Sequence, residues 1–336
     1  MRIALTLAAA GMVCGCNWIS LAANAATYET LAAGDAGNVV VRDSVAYVSL
    51  ADSGLAVVSA ETGSRIRVLA PPPGLSSVDD VAAADGLLFV LDARPPGALA
   101  VYSLADRLHP KLAGSAIDVA VGPFSGVSAA AAVVAVSGGT SQLSSWSYDS
   151  SGALRDVAHI DLGRGQPDVL VGGAGTLFVS AHYWGPYFGL DIVQRDPVSH
   201  SLRRVAQVKI DDAGFTTGGA KPANFPVEAA LLDSATLLIA HRRGLALIDL
   251  SRRDDARVVK VVDVGGPAVN VDVLDRAAVV AVGGSDPAVV LIEFAPEPRI
   301  VRRVTLPAGT KPAGVALSRH SVLVAGRAQG VLAVKR

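Results

Sequence analysis

Gly244-Leu-Ala-Leu-Ile-Asp-Leu250, followed across the polar turn Ser251-Arg-Arg-Asp-Asp255 by Ala256-Arg-Val-Val-Lys-Val261, reads as two apolar strands joined by a hairpin. The first of these strands has counterparts along the whole chain. Gly54-Leu-Ala-Val-Val58, Gly97-Ala-Leu-Ala-Val-Tyr102, Gly189-Leu-Asp-Ile-Val193 and Gly330-Val-Leu-Ala-Val334 can be laid over it. Each is preceded by two apolar strands and, where chain remains, followed by a turn rich in Asp, Arg, Pro or Ser and a fourth strand such as Ile300-Val-Arg-Arg-Val-Thr305. Strand composition rich in Val, Leu, Ile and Ala, without capped helical periodicity, makes the chain all-β.

Starting each unit at its first strand gives Asn38, Asp80, Asp118, Asp168, Glu228, Asn270 and Gly314, with spacings of 42, 38, 50, 60, 42 and 44 residues. Units of roughly 40 to 50 residues are the size of a four-stranded propeller blade. The expected fold is a single β-propeller of about seven four-stranded blades over residues 26–336. The two long spacings predict loop insertions, and Ala129–Val136 is expected as one strand of the third unit. The last unit stops after its third strand, so Tyr28-Glu-Thr-Leu31 is expected to supply the fourth, closing the ring by pairing the N-terminal strand with the last blade.

Hydrophobic residues make up 51% of the chain and charged ones 18%, with a net charge of -1 spread evenly. This excludes a basic footprint for nucleic acid or an anionic membrane surface. Residues 1–25 read as an export signal: Arg2, an apolar run from Ile3 to Val13 too short to span a bilayer, then Ala23-Asn-Ala25 as a cleavage site. Val13-Cys-Gly-Cys16 offers a second reading, a lipoprotein signal with Cys16 lipidated. Both place the protein outside the cytoplasm, periplasmic, secreted or lipid-anchored, with membrane contact only through such an anchor. Cys14 and Cys16 are the only cysteines, so the mature domain has no disulfide and no thiolate chemistry.

Two segments resemble known repeats. Gly244-Leu-Ala-Leu-Ile-Asp-Leu250 with Ala256-Arg-Val-Val-Lys-Val261 is similar to the LVIVD repeat, and Ala46-Tyr-Val-Ser49 with Gly54-Leu-Ala-Val-Val58 to the YVTN repeat. The resemblance implies a bacterial-type propeller and leaves function open, because such propellers serve as binding modules, scaffolds and occasional enzymes.

Alternating strand direction places the loop entering the first strand and the loop between the second and third on one face, here the upper face. His182 and His241 follow second strands in consecutive blades and reach it, as do Asp80, Asp118, Asp168 and Glu228 at first-strand positions. Four carboxylates near two histidines suit a divalent cation or a cationic ligand. The alternative is that each carboxylate accepts backbone N–H groups from its own or a neighbouring blade. The insertion His182-Tyr-Trp-Gly-Pro-Tyr-Phe-Gly189, read as a loop, concentrates Tyr183, Trp184, Tyr187 and Phe188 in a chain only 5% aromatic. They suit a protein or glycan partner, or a plug packed over the channel. A second insertion, residues 211–226, is expected beside it.

No HExxH, GxSxG, phosphate-binding glycine loop or CxxCH is present, and no cofactor is evident. Two functions follow: a binding or scaffold module using the upper face, or a lactonase-like hydrolase or metal-binding enzyme with His182 or His241 as general base and Asp168 or Glu228 orienting substrate or metal.

Overall fold

The structure, a computed structural model, describes residues 28–32, 34–61, 64–114, 117–119, 126–138, 141–163, 168–184, 187–211, 229–295 and 297–335, with backbone alone at 28–32, 168, 181–188 and 211. The described residues form seven antiparallel sheets. Helix is confined among them to two single turns, Gly173–Gly175 and Arg253–Asp255, and no helix is long and apolar enough to cross a membrane.

Each blade runs outward from an innermost strand A to an outer strand D. Blade 1 is Val39–Arg42, Val45–Ser49, Leu55–Ser59 and Arg65–Leu69. Blade 4 is Asp168–Gly172, Leu177–Trp184, Tyr187–Arg195 and Leu202–Asp211, and blade 5 is Ala229–Leu231, Thr236–His241, Gly244–Asp249 and Arg257–Val262. Blade 6 covers Ala268 to Thr305. Blade 7 is Gly314–Leu317, Ser321–Ala325 and Val331–Lys335, with Tyr28–Ala32 antiparallel to its third strand. Successive A strands touch all the way round, blade 7 meeting blade 1, so the blades form a closed ring.

The ring explains the composition of the middle strands. Every blade face is covered by the next blade, so a B strand is buried on both sides and is apolar throughout rather than alternating. Val45–Ser49 and Ala277–Val282 are buried at every position. The apolar side chains gather into seven clusters, one at each seam between neighbouring blades.

Three local expectations are corrected. Asp118 does not open the third blade: Ile117–Asp118 pairs with Ala98 and Leu99 as the second piece of blade 2's outer strand, after Lys111–Leu112. Blade 3 starts instead at Val127. The stretch from Ala129 to Val136 is a hairpin, Val127–Ala130 paired with Val133–Ser137, because Ala131 and Ala132 both take positive φ, 50° and 59°. Alanine is unusual in such a turn, which favours Asn and Gly, and here Asp85 Oδ2 accepts the Ala132 N–H at 2.9 Å. Finally, the segment from His182 to Gly189 is not a free loop. Strands B and C of blade 4 continue through it, with His182 opposite Gly189, Tyr183 opposite Phe188 and Trp184 opposite Tyr187.

The outer strands share a feature with no counterpart in the sequence pattern. In blades 1, 3, 5 and 6 the register between strands C and D slips once by one residue, and in blade 4 twice, each slip leaving an extra residue on strand D. In blade 5, Leu247 faces Lys260 and Ile248 faces Val258, so Val259 bulges out and is 55% exposed. Ile66, Val157 and Val301 are exposed at the corresponding slips.

Candidate functional site

The inner strands carry the positions of the carboxylate ring. Asp80 begins the A strand of blade 2. Its Oδ1 accepts the Asn38 side-chain amide of blade 1 at 2.5 Å and its own neighbour Val81 N–H at 2.8 Å, while Oδ2 accepts Val127 N–H of blade 3 at 2.8 Å. Crowding by surrounding atoms disfavours the charge and pushes the carboxyl up to about 6, although those three donors pull the other way.

The same bond recurs around the ring. Ser128 Oγ accepts Val171 N–H of blade 4 at 3.0 Å, Asn270 Oδ1 accepts Val315 N–H of blade 7 at 3.2 Å, and Asp272 Oδ2 accepts Leu317 N–H at 2.7 Å. A polar side chain on one inner strand thus takes a backbone donor from the next, an arrangement that Asp80 shares with Ser128, Asn270 and Asp272. Near the other end of the channel Arg42 donates to the Ala83 carbonyl of blade 2, and burial lowers its pKa despite nearby Asp272.

Of the remaining ring candidates only Asp118 has its side chain described, and it lies away from Asp80. Asp118 lies on an outer strand, exposed. Asp168 begins the A strand of blade 4, with only its backbone described, and Glu228 lies outside the described residues. Among the described residues no group of three or more His, Cys, Asp or Glu side chains could hold a metal ion. Cys16, the export signal and the insertion at 212–226 also lie outside them.

His241 ends strand B of blade 5 and is buried, with Nδ1 accepting the Arg243 N–H at 3.3 Å. It braces the two-residue turn Arg242-Arg243 from beneath. His182 occupies the matching place in blade 4, with backbone alone described.

Around that turn lies an open groove of about 510 Å³ lined by Arg242, Arg243, Val261, Asp263 and Gly266. It sits on the upper face where blade 5 hands over to blade 6, one blade from the blade 4 hairpin. Among the described residues of blade 4 strand A pairs with strand B as far as Ala181 and strand D with strand C as far as Phe188, while the B–C ladder runs three pairs past Ala181 to Trp184 and Tyr187.

Sequence reasoning passed over Arg242 and Arg243, although two adjacent bases between apolar strands mark a hairpin tip. It also passed over Asp191, fully buried in strand C of blade 4, which accepts Gln207 Nε2 at 2.9 Å and lies 3.4 Å from Arg204 Nη1. Its signal is a carboxylate where the aligned repeats carry Ala56, Leu99, Ala246 and Leu332.

No family model and no curated protein matches the chain. Among solved structures, hydrazine synthase of Kuenenia stuttgartiensis aligns with a TM-score of 0.67 at 13% identity, over 92% of this chain and 98% of that one. The WD40 repeats of RRP9 align at 0.65 and 13%, over 93% and 98%, and U3-55K at 0.65 and 13%, over 93% and 99%. At this identity the likeness is one of fold, and a fold matched by 1244 solved chains does not select a function. The chain is a seven-bladed β-propeller.

Proposed function

We propose that this protein is an exported binding or scaffold propeller of the LVIVD/YVTN repeat type, holding a partner on the upper face of blades 4 to 6. The observation that carries the reading is the blade 4 hairpin, whose paired strands run to Trp184 and Tyr187 and set four aromatic positions at the same end of the blades as the blade 5 groove. Ring closure makes the scaffold stiff, and recognition residues on extensions from a stiff scaffold are held in place at little entropic cost on binding. The lower-face turns, such as Arg253–Asp255, are short and mixed in charge, as a solvated rim would be.

The test shortens the hairpin. Replacing residues 183–188 with a two-residue turn, the length blade 5 uses at Arg242-Arg243, removes the four aromatic positions and leaves the ladder to Ala181. The mature wild-type and shortened proteins are compared on a glycan array and by cross-linking to envelope extracts. Ligands or cross-links retained by wild type and lost in the shortened protein, with an unchanged melting temperature, support the reading. Identical profiles for the two proteins remove it.

A further inference from the structure

The turn between strands B and C of blade 7 carries a cation that the fold does not use. We propose that Arg327 receives a carboxylate from an acidic peptide segment of a partner protein, at the upper-face seam where blade 7 meets blade 1.

Blades 1 and 7 join strands B and C through the same five-residue turn. In Leu50-Ala-Asp-Ser-Gly54 the Leu50 N–H donates to the Gly54 carbonyl at 2.8 Å and the Gly54 N–H to the Ala51 carbonyl at 3.0 Å. In Gly326-Arg-Ala-Gln-Gly330 the Gly326 N–H donates to the Gly330 carbonyl at 2.7 Å and the Gly330 N–H to the Arg327 carbonyl at 2.7 Å. The second residue takes a left-handed φ in both, 47° at Ala51 and 54° at Arg327. Its backbone bridges to the loop entering the next blade, Ala51 to Val78 and Arg327 to Ala36. Alanine thus meets every backbone demand of this turn in blade 1, so the arginine side chain in blade 7 is surplus to the turn.

That side chain is also unengaged. Arg327 is half-buried, and among the described residues its guanidinium makes no hydrogen bond and no ion pair. Asp35, exposed on the loop that Arg327 bridges, does not pair with it. The guanidinium has given up part of its hydration without gaining a carboxylate, and the reciprocal Ala36 bridge, at 3.1 and 3.2 Å, fixes its backbone. Both conditions favour a carboxylate arriving from outside.

The carboxylate it lacks is present one blade on. Asn38 and Asp80 hold matching positions at the head of the A strands of blades 1 and 2, so Gly37 corresponds to Asp79, and their N–H groups donate alike, to the Ser49 carbonyl at 3.0 Å and the Leu91 carbonyl at 2.9 Å. Beside the Ala51 bridge stands Asp79, whose carboxylate accepts Ser77 Oγ at 2.7 Å and Ala93 N–H at 2.8 Å. Beside the Arg327 bridge stands Gly37, partly exposed. A Cβ on it would lie 3.7 Å from Arg327 Nη1 but only 3.0 Å from Ser49 Oγ, so the chain places no side chain next to the guanidinium and a ligand reaches it from the solvent side. Lys311 adds charge nearby: it is exposed and unpaired in the loop entering blade 7, which Gln329 Nε2 ties to the turn by donating to the Gly309 carbonyl at 3.0 Å. Two unpaired cations on adjoining loops favour a chain of several carboxylates over one small anion, and the carboxylate at the matching place in blade 2 is an aspartate's, which an acidic peptide reproduces.

The experiment titrates the mature protein into a fluorescein-labelled octapeptide alternating aspartate and glycine, read by anisotropy, beside the same peptide with asparagine for aspartate and with an oligogalacturonate of equal charge as competitor. The variants are R327A, which copies the blade 1 turn, and R319A, which removes an exposed, unpaired arginine from the lower-face turn of the same blade. The expected result is saturable binding of the aspartate peptide that weakens about ten-fold in R327A, the loss of about one charge-assisted hydrogen bond. R319A leaves it unchanged, the asparagine peptide does not bind, and R327A melts with wild type, as Ala51 in the same turn implies. Absence of saturable binding, equal loss in R319A, equal binding of the asparagine peptide, stronger binding of the oligogalacturonate, or a lowered melting temperature in R327A overturns the proposal. Shortening the blade 4 hairpin leaves this binding intact, so ligands lost with the hairpin and the peptide lost with Arg327 report on the two readings separately.

Discussion

Asp80 stands between two opposed forces. Its three hydrogen bonds favour the carboxylate, while the closed-in inner wall of the ring favours the neutral acid and raises its pKa to about 6. The unfolded chain would titrate near the ordinary aspartate value, so between about pH 4 and pH 6 the native state binds more protons. This group's contribution to stability is therefore present at low pH and declines as pH rises through 6. Asp80→Asn removes the titration but replaces one acceptor oxygen with an NH2 group facing a donor, so the two proteins are compared in the slope of stability against pH and not in its level. Thermal melts from pH 4 to pH 7 should show a smaller loss of stability with rising pH in Asp80→Asn than in wild type. An identical pH profile for the two proteins would remove Asp80 as the source. Asp272 shares the direction of shift and contributes to the slope in both proteins.

At the scale of single strands, the slips between C and D strands account for aliphatic side chains that would otherwise read as a docking surface. An outer strand exposes a full row of backbone donors and acceptors, and a flat one invites another chain to pair with it. An extra residue twists the edge and breaks that row, at the cost of pushing out Ile66, Val157, Val259 or Val301. Deleting Val259 would join Val258 directly to Lys260 and regularise the ladder opposite Leu247 and Ile248. The expected outcome is concentration-dependent self-association on a sizing column, with a melting temperature within a few degrees of wild type. A deletion variant that stays monomeric at every concentration would show that the slip does not protect the edge. Such slips were not legible in the sequence, because Arg257-Val-Val-Lys-Val-Val262 reads the same with or without a bulge. The Ala131-Ala132 turn was hidden for a related reason: alanines give no turn signal, and the Asp85 bond that supports them comes from the preceding blade. Asp118 misled because the outer strand of blade 2 is split into two pieces, so an acid on its second piece imitated the start of the next unit.

For the whole ring, blade number and strand order were legible because every blade buries its middle strands on both faces, and that demand writes the same apolar runs into the chain seven times. The candidate site was less legible, since the groove depends on residues from a turn, a strand end and an inter-blade loop that come together only in three dimensions. Tyr28–Ala32 beside Val331–Lys335 joins the two ends of the described chain in one sheet. A protein beginning at Gly34 should melt roughly 5–10 °C below one beginning at Ala26, from about four lost ladder bonds at ~1 kcal/mol each. Equal melting temperatures would mean that this strand adds nothing to the ring. The inner-strand bonds have a consequence for how such a sequence can change over time. At each of these seams the side chain is the acceptor, but the donor is a backbone N–H, supplied by Val127, Val171, Val315 and Leu317. Any residue other than proline can provide it. The bond thus leaves the donor's identity to the packing of its buried site alone, where several apolar residues fit, so descendants of a common ring can lose nearly all visible kinship in their letters and still assemble the same circle.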